Sequence, residues 1–134
     1  MLNGLSHVSL VVPDLAAAAQ RLKSVYGLSI GPIEVNVTQG VHLAYVQLSN
    51  AKIELMQPTH AESAAGKFLQ KNPRGGIHHI SFSVDSVDAV SRELAAEAVT
   101  LIGDGTPQYN VHNERIAFIH PKDFLGALVE LEEI

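Results

Sequence analysis

The order of segments with which this chain begins occurs a second time, and this repeat constrains the fold more than any other feature. Each half has an alternating apolar segment, an amphipathic helical segment that follows an N-cap residue, and three β-like segments. The repeat predicts an α+β fold built from two βαβββ modules, at about residues 1–58 and 74–134. Residues 59–72 between them read as a short helical linker, followed by a glycine-containing hinge at 73–76.

The boundaries of the predicted elements follow from turn residues and capping residues. In the first module, Asp14 caps a helix that Gly27 ends, and strands are expected at about 33–38, 41–48 and 51–56. In the second module, a strand over 76–84 leads through Asp85-Ser86 into a helix over 87–97. Strands are then expected at about 100–102, 114–120 and 127–131.

Composition excludes several classes of protein. The chain has 134 residues, 46% of them apolar and 17% charged, which is typical of one compact globular domain. A net charge of −5 argues against a nucleic-acid partner. No apolar stretch is long enough to cross a bilayer, and the N-terminus shows no signal peptide, so a cytoplasmic protein is expected. There is no cysteine, so a metal site needs nitrogen and oxygen ligands.

A histidine on the first strand and a glutamate on the last strand recur in both halves. His7 lines up with His79, and Glu54 lines up with Glu130. A single strand histidine is usually only packed or exposed, but the repeat supplies the same pair twice. A carboxylate within an apolar strand is costly unless it is paired or coordinated. The sequence therefore predicts one divalent metal site with four protein ligands: His7, Glu54, His79 and Glu130.

Two imidazoles and two carboxylates suit a six-coordinate first-row ion with positions left for a substrate. The donor set alone leaves Co²⁺, Ni²⁺, Mn²⁺, Fe²⁺ and Zn²⁺ open. Among these ions, Co²⁺ is the first expectation, with Ni²⁺, Mn²⁺ or Zn²⁺ as alternatives.

Several longer motifs resemble the vicinal oxygen chelate superfamily, which includes glyoxalase I, and within it the methylmalonyl-CoA epimerases. The resemblance covers essentially the whole chain. It is carried by these runs: GIHHISFSVD at 76–85, RIAFIHPK at 115–122, GALVEL at 126–131, QGV at 39–41 and IELMQP at 53–58. The resemblance implies an open, cup-shaped mixed sheet around one metal ion, and a homodimer.

The resemblance also implies an activity, the interconversion of (R)- and (S)-methylmalonyl-CoA through an enolate, with an acyl-CoA as substrate. The ligand in the family's His-His pair is the second histidine, which is His79 here, and His78 then faces the other side of the strand. Glu130 is the first candidate for the proton-transfer base, and Glu54 is the second.

One position departs from the family pattern. Some epimerases carry a glutamate base on the strand over 41–48, at a place that Leu43 occupies here. His42 adjoins that place but faces the other side of the strand. Tyr45 and His112 are weaker candidates, so the second base stays open.

Two cations near the second repeat, Arg115 and Lys122, are candidates for contacts with CoA phosphates, although basic residues are more often simply solvated. The nearest competing activity is glyoxalase I, which uses an equivalent ligand set. A non-catalytic small-molecule binder of the same superfamily is a further alternative, but such proteins typically lack the full set of four ligands.

Overall fold

The computed structural model of the chain describes all residues from Met1 to Ile134. It contains eight β-strands, three α-helices and one short 3-10 helix at Pro121–Asp123. In chain order the elements are β1 (Gly4–Val11), α1 (Leu15–Tyr26), β2 (Glu34–Asn36), β3 (Val41–Gln47), β4 (Lys52–Pro58), α2 (Ala64–Lys71), β5 (Gly76–Val84), α3 (Val87–Ala96), β6 (Gln108–Tyr109), β7 (Arg115–Ile119) and β8 (Val129–Glu133). The predicted α+β class and the repeated βαβββ order are both confirmed.

The chain divides into two compact units, one of which contains residues His7–His78. Its strands lie in the order β2-β3-β4-β1, with β1 and β4 parallel and the other neighbours antiparallel. The side chain of Asp14 caps α1, and Gly27 ends it with a left-handed φ of 67°. Leu15 on α1 packs with Ala44 and Leu55 on one face of these strands, which leaves the opposite face for polar residues.

The other unit contains Met1–Ser6 and His79–Ile134. Its strands lie in the order β5-β8-β7-β6, with β5 and β8 parallel. The Ser86 side chain caps α3, which packs Val87 and Val90 against Val129 and Leu131 of β8. Each of these fully buried apolar side chains stabilises the fold by about 1.5–3 kcal/mol. As in the first unit, the helix covers one face of the strands only.

One predicted strand, at residues 100–102, is wrong. Only Leu101 forms a bridge there, to Ile119, and the strand of the second module is β6 at Gln108–Tyr109. The segment between them turns at Gly103 and Gly105, which have φ values of 112° and 87° and so interrupt an extended chain. The remaining predicted strands and helices are present, with shifted ends.

The connection between the modules also differs in detail from the expectation. The helix predicted within 59–72 is the shorter α2, capped by Ser63. Gly75, expected in a flexible hinge, is held by a hydrogen bond from its N–H to the Asn72 carbonyl, and strand β5 begins at Gly76. None of the helices is long and apolar enough to cross a membrane.

Candidate metal centre

The first histidine–glutamate pair lies within the unit formed by residues 7–78. His7 on β1 and Glu54 on β4 are 1% and 7% exposed, and Nε2 of His7 lies 3.8 Å from Oε1 of Glu54. The parallel register places Ser9 directly beside Glu54, and the Ser9 hydroxyl donates a 2.8 Å hydrogen bond to Oε1. The Tyr45 hydroxyl on β3 donates a 2.9 Å bond to Oε2. Both carboxylate oxygens are thus held by hydroxyl donors.

The second pair has the same construction within its own unit. His79 on β5 and Glu130 on β8 are 4% and 5% exposed, and Nε2 of His79 lies 3.9 Å from Oε2 of Glu130. Ser81 lies beside Glu130 in the parallel register and donates a 2.9 Å hydrogen bond to Oε1. Phe118 on β7 is opposite Glu130, and its ring meets the ring of His79 edge to face at 5.5 Å.

These pairs fit a divalent metal by the chemistry of their donors. Each offers a buried imidazole nitrogen and a buried carboxylate oxygen on a polar strand face. Their separations of 3.8 and 3.9 Å exceed hydrogen-bond contact and are shorter than twice a metal–ligand distance of about 2.0–2.2 Å, so both atoms of a pair can reach one ion. The serine at the second position after each histidine orients the carboxylate, as hydrogen-bonding partners of metal ligands commonly do.

The histidine that precedes His79 faces the other side of β5, as strand alternation predicts. The ring of His78 meets Phe68 of α2 edge to face at 5.4 Å. Burial lowers the pKa of His78 below its usual value, because the charged ring would lose its hydration. His78 therefore packs as a neutral ring.

The position at which some relatives carry a second base is apolar in this structure. Leu43 is 2% exposed and lies opposite Met56 of β4, so it shares the polar strand face with Tyr45 and Glu54. His42 is exposed on the other face. Leu43 has no atom that can accept a proton, and His42 faces away from Glu54.

A buried carboxylate that the sequence analysis missed lies two residues after Glu130. Glu132 is 3% exposed and shares a strand face with Glu130, and an oxygen of each carboxylate lies within 4.8 Å of the other. Its oxygens accept hydrogen bonds from Ser6 at 2.7 Å and from Asn110 at 3.2 Å. Strand alternation could have predicted this residue, since Glu130 and Glu132 are two positions apart and therefore point to the same side of β8.

The remaining candidate residues belong to β7 and to the segments on either side of it. Arg115 is on the helix-covered face of β7, where its guanidinium bonds the Asp88 carboxylate of α3 at 2.8 Å. Lys122 is exposed in the 3-10 helix, whose first turn is capped by Nδ1 of His120. His112 is exposed in the loop between β6 and β7.

Comparisons with known proteins show which family this chain resembles in sequence. The sequence profile of the Glyoxalase/Bleomycin resistance protein/Dioxygenase superfamily matches residues 6–118. An ethylmalonyl-CoA/methylmalonyl-CoA epimerase of Cereibacter sphaeroides is 40% identical over 134 residues, which is 100% of both chains.

Two solved structures are similar in fold as well as in sequence. The crystal structure of methylmalonyl-CoA epimerase from Mycobacterium tuberculosis is 36% identical with a TM-score of 0.89, over 98% of this chain and 87% of that one. A methylmalonyl-CoA epimerase in complex with methylmalonyl-CoA and NH4+ is 33% identical with a TM-score of 0.89, over 98% and 94%. This likeness independently supports the α+β fold class.

Proposed function

Since the chain belongs to the Glyoxalase/Bleomycin resistance protein/Dioxygenase superfamily and, within it, to the methylmalonyl-CoA epimerases, we propose that it is an isomerase that interconverts (R)- and (S)-methylmalonyl-CoA. The observation that carries this proposal is the full-length identity of 40% to a relative named for epimerisation of ethylmalonyl-CoA and methylmalonyl-CoA. Ethylmalonyl-CoA is accordingly a second acyl-CoA substrate to test. An enolate is the intermediate, because the C2 proton lies between a carboxylate and a thioester.

We further propose that His7, Glu54, His79 and Glu130 bind one divalent metal ion. The two equally built pairs, with nitrogen and carboxylate donors that are all buried, support this ligand set. Co²⁺ is the first choice of ion, and Ni²⁺, Mn²⁺ and Zn²⁺ suit the same donors. When bound, such an ion acts as a Lewis acid that stabilises the negative charge of an enolate by several kcal/mol.

Glu130 is the first candidate base in this proposal and takes the C2 proton from one face of the substrate. Epimerisation then requires that a proton be delivered to the opposite face by a second base, for which Glu54 is the candidate. The hydroxyl of Ser81 donates a hydrogen bond to Oε1 of Glu130 and so orients this carboxylate. A well-positioned general base typically contributes about 10²–10⁴-fold to the rate. Glu54 is its symmetry mate, but two hydroxyl donors hold its two oxygens.

Further expectations accompany the activity. We propose that Lys122, and less so Arg115, contacts phosphates of the CoA moiety, because Lys122 is exposed whereas Arg115 is bonded to Asp88. We also propose that the two modules form one domain, and that the protein is a cytoplasmic homodimer. The dimer is supported by the apolar side chains exposed along the edge strand β2 and its flanks: Ile33, Val35 and Val37.

The test is proton exchange at C2 in D₂O. The protein is incubated with Co²⁺ and (S)-methylmalonyl-CoA, ethylmalonyl-CoA or the hemithioacetal of glutathione and methylglyoxal. We expect deuterium at C2 of the malonyl thioesters and loss of stereochemical purity, with the hemithioacetal unchanged. Consumption of the hemithioacetal without exchange into the thioesters would instead identify a glyoxalase I. Binding of the thioester without either reaction would identify a non-catalytic binder.

A further inference from the structure

Strand β8 carries a second buried carboxylate, which is found in only one of the two modules. Glu132 follows Glu130 by two residues, whereas Met56 is the residue at the same place after Glu54. Both residues are 3% exposed, and each lies on the same strand face as the glutamate before it. Since histidine, serine and glutamate recur at equivalent positions in both modules, Glu132 is an addition to the repeated set of candidate ligands.

The carboxylate of Glu132 accepts hydrogen bonds at both of its oxygens. The Ser6 hydroxyl donates to Oε1 at 2.7 Å, and the Asn110 amide nitrogen donates to Oε2 at 3.2 Å. The amide oxygen of Asn110 accepts hydrogen bonds from the backbone N–H groups of His112 and Glu114, which hold the amide in place. Because a buried carboxylate is costly without such donors, these contacts keep its negative charge in one position.

The negative charge of Glu132 lies close to the place proposed for the metal ion. One of its oxygens lies within 4.8 Å of an oxygen of Glu130. A carboxylate ligand lies about 2.0–2.2 Å from its metal ion, so an ion bound to that oxygen of Glu130 would be no more than about 7 Å from Glu132. At such a distance in a buried site, opposite charges attract each other much more strongly than in water.

We infer that Glu132 raises the affinity of the metal centre for divalent cations through its charge, without coordinating the ion. This inference rests on the proposed function, in particular on the four proposed ligands. The carboxylates of Glu54 and Glu130 balance the two charges of the ion, and Glu132 adds a third negative charge beside Glu130. A nearby charge favours every divalent ion, whereas a ligand atom distinguishes ions by their coordination preferences.

The first experiment is Glu132→Gln, which removes the charge and keeps the size of the side chain. The glutamine oxygen can accept from Asn110 and its nitrogen can donate to the Ser6 hydroxyl, so both contacts can be kept. We expect Co²⁺ binding, measured by calorimetric titration, to weaken about 10–100-fold. The visible absorption of the bound ion should be unchanged, because its ligands are the same. Affinities for Mn²⁺ and Zn²⁺ should fall by a similar factor.

Three further variants make the result specific. Glu133→Gln removes the same charge from the next residue of β8, which faces the opposite side and accepts a hydrogen bond from the backbone N–H of Val87. It should keep Co²⁺ affinity within about threefold of wild type. Glu132→Asp retains the charge and should keep most of the affinity. Circular dichroism of the metal-free variants verifies folding, and Glu132→Met, which copies Met56, replaces the glutamine variant if that variant is unfolded.

The inference is overturned if loss of the Glu132 charge weakens Co²⁺ binding by less than about threefold, or if Glu133→Gln weakens it equally. It is also overturned if the absorption bands shift or if Co²⁺, Mn²⁺ and Zn²⁺ are affected to different extents, because Glu132 would then be a ligand. Failure of the proposed function has a different signature, since wild-type protein itself would bind no Co²⁺ or show no exchange into the malonyl thioesters.

Discussion

The hydroxyl of Ser81 lies 2.9 Å from Oε1 of Glu130, and the two residues are direct neighbours in the parallel pairing of β5 with β8. Both residues are buried, with Ser81 0% and Glu130 5% exposed. The other module builds the same contact between Ser9 and Glu54. The pattern His-X-Ser on one strand therefore supplies both a candidate metal ligand, the histidine, and a hydroxyl donor, the serine, that orients the carboxylate on the neighbouring strand.

Replacing Ser81 by alanine should destabilise the metal-free protein by about 1–3 kcal/mol, because a buried carboxylate loses a hydrogen-bond donor. Urea denaturation monitored by circular dichroism measures the free energy of unfolding. Ser83→Ala is the matched control on the same strand, since that partly exposed hydroxyl donates only a 3.3 Å bond to the Gly4 carbonyl. An equal decrease in the free energy of unfolding in both variants would contradict a specific stabilising role of the Ser81–Glu130 hydrogen bond.

Replacing Glu130 by glutamine should abolish deuterium exchange at C2, because an amide cannot accept the proton. The amide oxygen keeps its capacity to coordinate, so Co²⁺ should still bind, although more weakly. Glu54→Gln is the matched variant in the other module and should retain measurable exchange when Co²⁺ is saturating. Exchange at a near wild-type rate in Glu130→Gln would show that Glu130 is not the base.

Much of this structure could be predicted because the repeat carries the same information twice. The alternation of β1 and β5 correctly placed His7 and His79 on the strand faces that their modules use for Glu54 and Glu130. It also separated His78 from His79, since neighbouring residues of a strand face opposite sides. Asp14 likewise marked the start of α1, because an N-cap depends only on residues that are close in sequence.

The parts that could not be predicted depend on the register between paired strands, which the pattern of a single strand does not specify. The contact of Tyr45 with Glu54 requires the antiparallel pairing of β3 with β4, and that of Glu132 with Ser6 joins residues 126 positions apart. The two-residue strand β6 is too short for alternation to signal it. The segment expected as a strand at 100–102 forms only the single bridge of Leu101, because positive φ values at Gly103 and Gly105 turn the chain directly after it.

Removal of the metal should lower both activity and thermal stability. We expect dialysis against a chelator to abolish C2 exchange, and Co²⁺ to restore it. An ion at about 100 times its Kd adds about 2.7 kcal/mol of stability, which for a domain of this size raises the Tm by about 10 °C. His7→Ala and His79→Ala should each lose most of this increase, whereas the exposed His42→Ala should keep it. An equal increase in Tm on addition of Co²⁺ in all three variants would show that the ion binds at another site.

Replacing Gly75 by alanine should destabilise the protein by at least about 2 kcal/mol. Gly75 has a φ of 85°, and a Cβ there would overlap the carbonyl oxygen of Val11 on β1. Because the oxygen belongs to the backbone of β1 and a Cβ is fixed to the backbone at residue 75, the overlap cannot be relieved without shifting the main chain. Gly4→Ala is the control, since a Cβ at Gly4 has no atom within 4 Å. Denaturation curves that coincide for the two variants would contradict this account.

Replacing Lys122 by alanine should raise the KM for methylmalonyl-CoA about fivefold at low ionic strength and less at high ionic strength. The ammonium group is exposed and available to a phosphate, whereas Arg115 is bonded to Asp88 at 2.8 Å. Arg115→Ala should therefore change KM by less than about twofold, as should the control Lys23→Ala on the exposed side of α1. Because kcat reports the reaction at C2, it should be unchanged in all three variants. A larger increase in KM for Arg115→Ala than for Lys122→Ala would mean that the Arg115–Asp88 ion pair opens when the substrate binds.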